Sequence, residues 1–282
     1  MKGYDLLPMT INMVDIFSYS FMWRACIAGG IVALIAPLIG MFFVLRRYSM
    51  ITDTISHLSL AGVALGLVLG IHPLVSAVVV SLIASVGVDR IRSSTKIYGD
   101  SILAILLSSS LAVAVLLMGM IKGIRVDIAS FLFGSIITVS YSDLIVMAIF
   151  ALIVLCTMVL FYKEFVFITF DEDSAFVSGI PTKLLNMVFI AMAAFTVAIA
   201  IPVVGVLLIS ALSVIPVIIA LSFQKRFITT IWIAQGIALF SVIFGIVFSF
   251  YANTATGATI VIVTMVILIL RYVQNKIKRI LS

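Results

Sequence analysis

Charge is scarce in this sequence. Asp, Glu, Lys and Arg together make up 10% of its 282 residues, whereas 64% are hydrophobic. A water-soluble domain with one core cannot hide that much apolar surface, so a soluble protein is excluded and the solvent must be largely lipid. Cysteine is nearly absent too. Cys26 and Cys156 lie inside apolar runs with no CxxC, which excludes a disulfide scaffold and a structural zinc site; both read as buried small hydrophobes. No GxxxxGK[ST] phosphate loop, no HExxH and no GxSxG occurs, which removes the P-loop, zinc-protease and serine-hydrolase routes. No basic stripe interleaved with aromatics is present, so nucleic acid is not a partner. The first residues, "MKGYDLLPMTINMVDIF", lack a basic segment followed by a clean apolar run. Residues 1–20 therefore read as an extracytoplasmic or interfacial lead-in and not as a cleaved signal.

What the sequence has in quantity is apolar runs. A membrane span needs about twenty apolar residues, and segments near that length fall at about 21–45, 51–70, 73–89, 101–120, 142–162, 184–201, 203–222, 228–250 and 256–272. The fold class is all-α, a polytopic helix bundle of nine spans within one domain at 21–272. Eight spans result if the chain does not break at "GIHP" (70–73) or at "AIP" (200–202). The segment 126–140 is too short and reads as a re-entrant or surface helix. With nine spans and the N-terminus outside, thirteen Lys and Arg fall on the cytoplasmic side, among them Arg46, Arg47, Arg90, Arg92, Lys96 and the basic tail 273–282. Only Lys2, Arg24, Lys122 and Arg125 remain outside, the asymmetry that sets orientation.

Glycine and proline are unevenly placed. Gly62, Gly66 and Gly70 repeat at spacing four, a small-residue ridge that lets membrane helices approach closely. Pro202, Gly205 and Pro216 divide "AIPVVGVLLISALSVIPVIIA". A broken helix at membrane depth is tolerated where it is buried in protein or lines a cavity, which favours a pathway protein over an anchor.

Asp53 and His57 are the chemically unusual residues, set into an otherwise apolar span just after Arg46 and Arg47. Positions i and i+4 share a helix face with Cβ atoms about 5–6 Å apart, so a carboxylate and an imidazole can converge on one divalent cation. The alternative is that Asp53 caps the helix start while His57 packs on a hydroxyl. Spacing alone does not choose, but ionisable groups inside spans are pathway candidates by default. His72, in "GIHP", reads as a loop residue. Asp127 and Asp143 read as turn and cap residues. Asp171, Glu172 and Asp173 open a short helix outside the membrane that ends at Gly179 and Pro181, and which can be a docking surface.

Four blocks in order carry a family resemblance: "RRYSMITDTISHLSLAGVALG" (46–66), "VDIASFLFGSIITVSYSDL" (126–144), "FDEDSAFVSGIP" (170–181) and "VVGVLLISALSVIPVIIA" (203–220). A weaker fifth is "YANTATGATIVI" (251–262). The chain resembles the membrane permease subunits of bacterial ATP-binding-cassette importers for zinc, manganese and iron, which are similar to cobalamin and siderophore permeases. The resemblance implies a homodimer with the translocation pathway at the subunit interface and a cytoplasmic ATPase dimer as motor. It also implies an extracytoplasmic metal-binding protein as donor, in the bacterial plasma membrane. It places Asp53 and His57 in the pathway as metal ligands, and Asp173, Ser174, Ala175, Phe176, Val177, Ser178 and Gly179 in the segment that couples to the ATPase. Gly62, Gly66, Pro202, Gly205 and Pro216 belong to pathway and helix packing. The divalent metal is cargo, not a bound cofactor; the block "VDIASFLFGS" is nearer the zinc branch, while the ligands accommodate Mn2+ or Fe2+ equally. Where zinc-type relatives carry an acid, this sequence has Asn253. A gradient-driven carrier needing no partner, and a structural or sensing subunit, are the other function classes.

Overall fold

Lipid offers no partners for backbone N–H and C=O groups, so apolar segments must satisfy them internally, and helices do so. The computed structural model describes residues 19–47, 49–94, 99–120, 132–135 and 139–281, and every regular element among them is a helix. The readings made for residues 1–18, Lys96, Lys122, Arg125 and Asp127, for most of 126–140, and for the side chains of Arg90, Arg92 and Arg279 fall outside the described residues.

Among the described residues eleven helices follow one another: α1 Ser20–Leu45, α2 Ser49–Leu69, α3 Pro73–Ser94, α4 Gly99–Met120, α5 Tyr141–Leu160, α6 Tyr162–Phe170, α7 Glu172–Val177, α8 Thr182–Val204, α9 Ile209–Leu221, α10 Phe227–Ala252 and α11 Thr256–Leu281. Seven of them, α1, α2, α4, α5, α8, α10 and α11, are long and apolar enough to cross a membrane. The apolar part of α3, Pro73–Gly87, and α9 are shorter. These nine correspond one for one to the nine apolar segments of the sequence. α11 continues as helix through the basic stretch after 272 to Leu281.

α1, α2 and α8 form the centre. α1 packs against α8, α9 and α10, and α2 against α3, α4 and α8. Close approach is decisive at Gly40 of α1, where an added Cβ would land on the carbonyl oxygen of Ser213 in α9. Gly62 and Gly66 lie against α3, where a Cβ would meet Ala77 at 2.7 Å and Ser76 at 2.8 Å respectively. Gly70 does not extend that ridge. Its φ of +69° ends α2, with the N–H of Ile71 returning to the carbonyl of Gly66 at 2.9 Å, and Pro73 then opens α3.

The break between α8 and α9 also sits later than the sequence implied. Pro202 lies inside α8, near its end, and the helix runs past it to Val204. Gly205, at φ +84°, turns the chain. Pro216 likewise stays inside α9. The irregular backbone at Gly205 is covered by Leu132–Ser135: Leu207 N–H donates to the Leu132 carbonyl and Ser135 N–H to the Pro202 carbonyl, both at 3.2 Å. Gly134, Gly205 and Gly257 meet here with no side chain between them; a Cβ on Gly257 would fall on the Val204 carbonyl oxygen.

At the opposite end, the end bearing Arg46, Lys163, Lys183, Lys225 and Arg226, aromatic side chains fill the bundle. Phe42, Phe43, Phe165 and Phe189 are fully buried. Ring centroids lie 5.4 Å apart for Phe42 and Phe227, 5.0 Å for Phe43 and Phe189, and 5.9 Å for Phe165 and Phe189. This cluster pins α6 onto the bundle and so fixes where α7 stands. Both cysteines are free and neither is fully buried: Cys26 is half-buried on α1 and Cys156 faces outward on α5.

Candidate functional site

α2 is enclosed by its neighbours yet unusually polar inside. Thr52, Thr54, Ser56, His57 and Ser59 are all buried. Some hydroxyls satisfy themselves along the helix: Ser56 donates to the Thr52 carbonyl at 2.7 Å, and Thr54 donates to the Met50 carbonyl at 3.1 Å and to the Leu103 carbonyl of α4 at 3.3 Å. Thr52 Oγ1, Ser59 Oγ and His57 Nδ1 are buried with no hydrogen-bond partner. The line of α2 through Asp53 and His57 is exposed at its two ends, Met50 at 43% and Val68 at 40%, and part-exposed at Asp53 and Leu65, while His57 itself is buried at 8%. Asp53 and His57 sit together on this line.

Asp53 is the fifth residue of α2, and no acid occupies the first turn. The helix-capping alternative therefore falls away. The hydroxyl alternative for His57 finds no bonded partner at Nδ1. A neutral imidazole with a free ring nitrogen, one turn from a carboxylate, offers a nitrogen and an oxygen donor to a cation. No group of three or more His, Cys, Asp or Glu side chains capable of holding a metal occurs among the described residues. Two donors from one chain are thus what the site offers.

Asp171 caps α7: one carboxylate oxygen accepts from Ser174 N–H at 2.9 Å and the other from the Ser174 hydroxyl at 2.6 Å. These bonds, the hydroxyl first, hold its pKa below the usual carboxylate range. Ala175 is buried and anchors the helix, while Asp173, Ser174, Ser178 and Gly179 are exposed and Phe176 and Val177 stand bare at 65% and 85% exposure. A short, capped helix that presents two apolar side chains to solvent is a docking surface in form.

Two features were not legible from spacing. At the far end of the bundle, His72 Nε2 lies 3.5 Å from Asp143 Oδ1. Asp143 is the cap residue expected, forming a capping box with Ser140. At the basic end, Arg46 donates through Nε to Thr169 Oγ1 at 3.1 Å and through Nη1 to Asn186 Oδ1 at 2.8 Å. Asn186 in turn donates to Glu172 Oε1 of α7 at 2.7 Å. Asn253 closes α10 in the left-handed region, at φ 49°, a conformation that asparagine tolerates well.

The sequence matches the ABC 3 transport family over residues 18–275. The chain belongs to that family. It is a membrane permease of the metal-transporting ATP-binding-cassette kind, as the four sequence blocks implied. It is 35% identical to a "Probable metal transport system membrane protein" of Treponema pallidum, covering 93% of this chain and 98% of the relative. It is 31% identical to the "High-affinity zinc uptake system membrane protein ZnuB" of Haemophilus influenzae, covering 89% and 97%. Relatives named for manganese, from Halalkalibacterium halodurans, and for iron, from Haemophilus influenzae, are 29% and 28% identical over 94% of this chain, with 90% and 98% of the relatives covered. The solved structure titled "PsaBC from Streptococcus pneumoniae in complex with Fab" contains a chain that superposes with a TM-score of 0.84 at 26% identity, covering 92% of this chain and 94% of that one.

Proposed function

We propose that this permease forms the translocation pathway of an ATP-driven importer of divalent metal ions, Zn2+ first, with Asp53 and His57 as the ligands the ion meets inside the membrane. The observation that carries the reading is the line of α2 on which these two donors stand together, part open, with a His57 nitrogen unpaired. Two donors are half of a tetrahedral set. A second copy related by a two-fold axis supplies the other half, giving two carboxylates and two imidazoles at a homodimer interface. Such a shared site binds well enough to select an ion and weakly enough to release it.

The basic end faces the cytoplasm, which sets the N-terminus outside and the C-terminus inside. Asp173–Gly179 of α7 docks a pair of cytoplasmic ATPase subunits, and an extracytoplasmic binding protein hands over the ion at the other end. The membrane is the bacterial plasma membrane, and lipid covers the outward faces of α4, α5 and α11. The metal is cargo, and no resident cofactor is part of this reading. The oxygen and nitrogen donors also accept Mn2+ or Fe2+, and relatives carry names for each.

The test is zinc uptake by the complete complex in proteoliposomes. Asp53→Ala and His57→Ala each lower uptake by at least about tenfold while the complex still co-purifies; wild-type uptake by both variants overturns the reading. Competition between Zn2+ and Mn2+ in the same assay assigns the ion. Metal movement by the chain alone, driven by an ion gradient, would instead place it among carriers.

A further inference from the structure

The hydrogen-bonded chain from Glu172 to Arg46 joins the two parts of the machine that the proposed function needs. Arg46 is the C-cap residue just after α1, and only Arg47 and Tyr48 separate it from α2. Arg47, at φ 58°, makes that link an abrupt elbow. The Arg46 guanidinium is held from three sides: Thr169 of α6, Asn186 of α8, and the face of the buried Phe189 ring at 5.0 Å. Thr169 is itself fixed, donating to the Phe165 carbonyl at 2.7 Å. Asn186 is the residue type this position demands. Only an amide can accept from a cation with its oxygen while donating to a carboxylate with its nitrogen.

The geometry points to Arg46, Asn186 and Glu172 as positioning residues that transmit the seating of α7 on its partner to the elbow of α2, and so to Asp53 and His57. This inference rests on the docking role proposed for α7. The Glu172–Asn186 bond is exposed and the Arg46–Asn186 bond is partly buried. In open water the exposed bond competes with solvent and is weak. A partner seated on α7 excludes that water, lowers the local dielectric and strengthens the bond. The link is therefore firm when the ATPase is engaged and slack when it is not, which makes the position of the α2 elbow depend on docking.

The experiment measures metal moved per ATP hydrolysed by the complete complex in proteoliposomes. Asn186→Asp keeps an acceptor for Arg46 but sets a second carboxylate against Glu172. Glu172→Ala removes the same bond from an exposed position and serves even if Asn186→Asp assembles poorly. Glu172→Gln keeps the accepting oxygen. The expected result is a fall in metal per ATP of about threefold or more in the first two variants, with ATP hydrolysis and co-purification retained, and a ratio near wild type in Glu172→Gln. An unchanged ratio in the first two overturns the relay, as does a Glu172→Gln ratio as low as that of Glu172→Ala. A wild-type complex that hydrolyses ATP without moving metal removes the functional reading itself, and is distinguishable because it precedes any variant.

Discussion

Two junctions, one toward each end of the bundle, are held by opposite means. At the basic end, α1, α6, α8 and α10 interlock through large rings, Phe42, Phe165, Phe189 and Phe227. At the other end, Gly134, Gly205 and Gly257 bring three backbones together with no side chain between them. Rings fill volume and can be replaced by other apolar groups of similar size, so that end is graded in its response to change. A backbone-on-backbone junction has no slack, because even one methyl group meets a carbonyl that cannot move aside. One end can therefore accommodate substitutions that the other cannot, and the tolerant end is the one carrying α7 and the Arg46 elbow.

Substitutions can break or sharpen that contrast. The largest effect is predicted for Phe165→Ala, which empties a fully buried ring site and destabilises by about 3–5 kcal/mol. Phe165→Leu, by contrast, stays under about 1.5 kcal/mol. Thermal unfolding in detergent measures both, and equal losses would deny that this end is graded. Next comes Gly257→Ala, the smallest change available at the other end, which is predicted to reach the roughly 3 kcal/mol upper limit of ordinary overpacking. A melting temperature unchanged by this variant would remove the rigid junction.

The smallest effect belongs to the α7 cap. Its Asp171 carboxyl is held below the ordinary range by the Ser174 hydroxyl and backbone N–H, so the cap contributes fully above the ordinary carboxylate pKa and is lost as pH falls through the lowered value. Protection of the 172–177 amides, measured against the intrinsic exchange rate at the same pH, is therefore predicted to fall in acid, and Asp171→Asn to remove that dependence. Acid-insensitive protection in the native protein would show that the cap does not hold α7.

Much of this architecture was legible because lipid leaves helices few alternatives. Long apolar runs therefore located the nine apolar helices among the described residues, and the i, i+4 spacing put Asp53 and His57 on one face of α2. Local punctuation was read less well. Pro202 looked like the breaker of α8, but the helix runs past it to Val204, and the positive φ of Gly205 made the turn. Gly70 looked like packing and proved to be a terminator with open space where its Cβ would be. The Arg46 contacts could not be read at all, since Thr169 and Asn186 stand 123 and 140 residues away. Nothing in spacing or composition pairs residues at such separations, and the same holds for His72 and Asp143.

The brevity of α9 has a consequence for biosynthesis. The thirteen helical residues of α9 rise about 20 Å, well short of the roughly 30 Å hydrocarbon layer, so this helix does not cross the bilayer unaided. It has to settle onto protein already there. The order of synthesis provides that platform, because α1 with its Gly40 seat, the Leu132–Ser135 segment and α8 all leave the ribosome first. This permease is assembled as a sequence of dependent insertions, and α9 is the step that must wait for its predecessors.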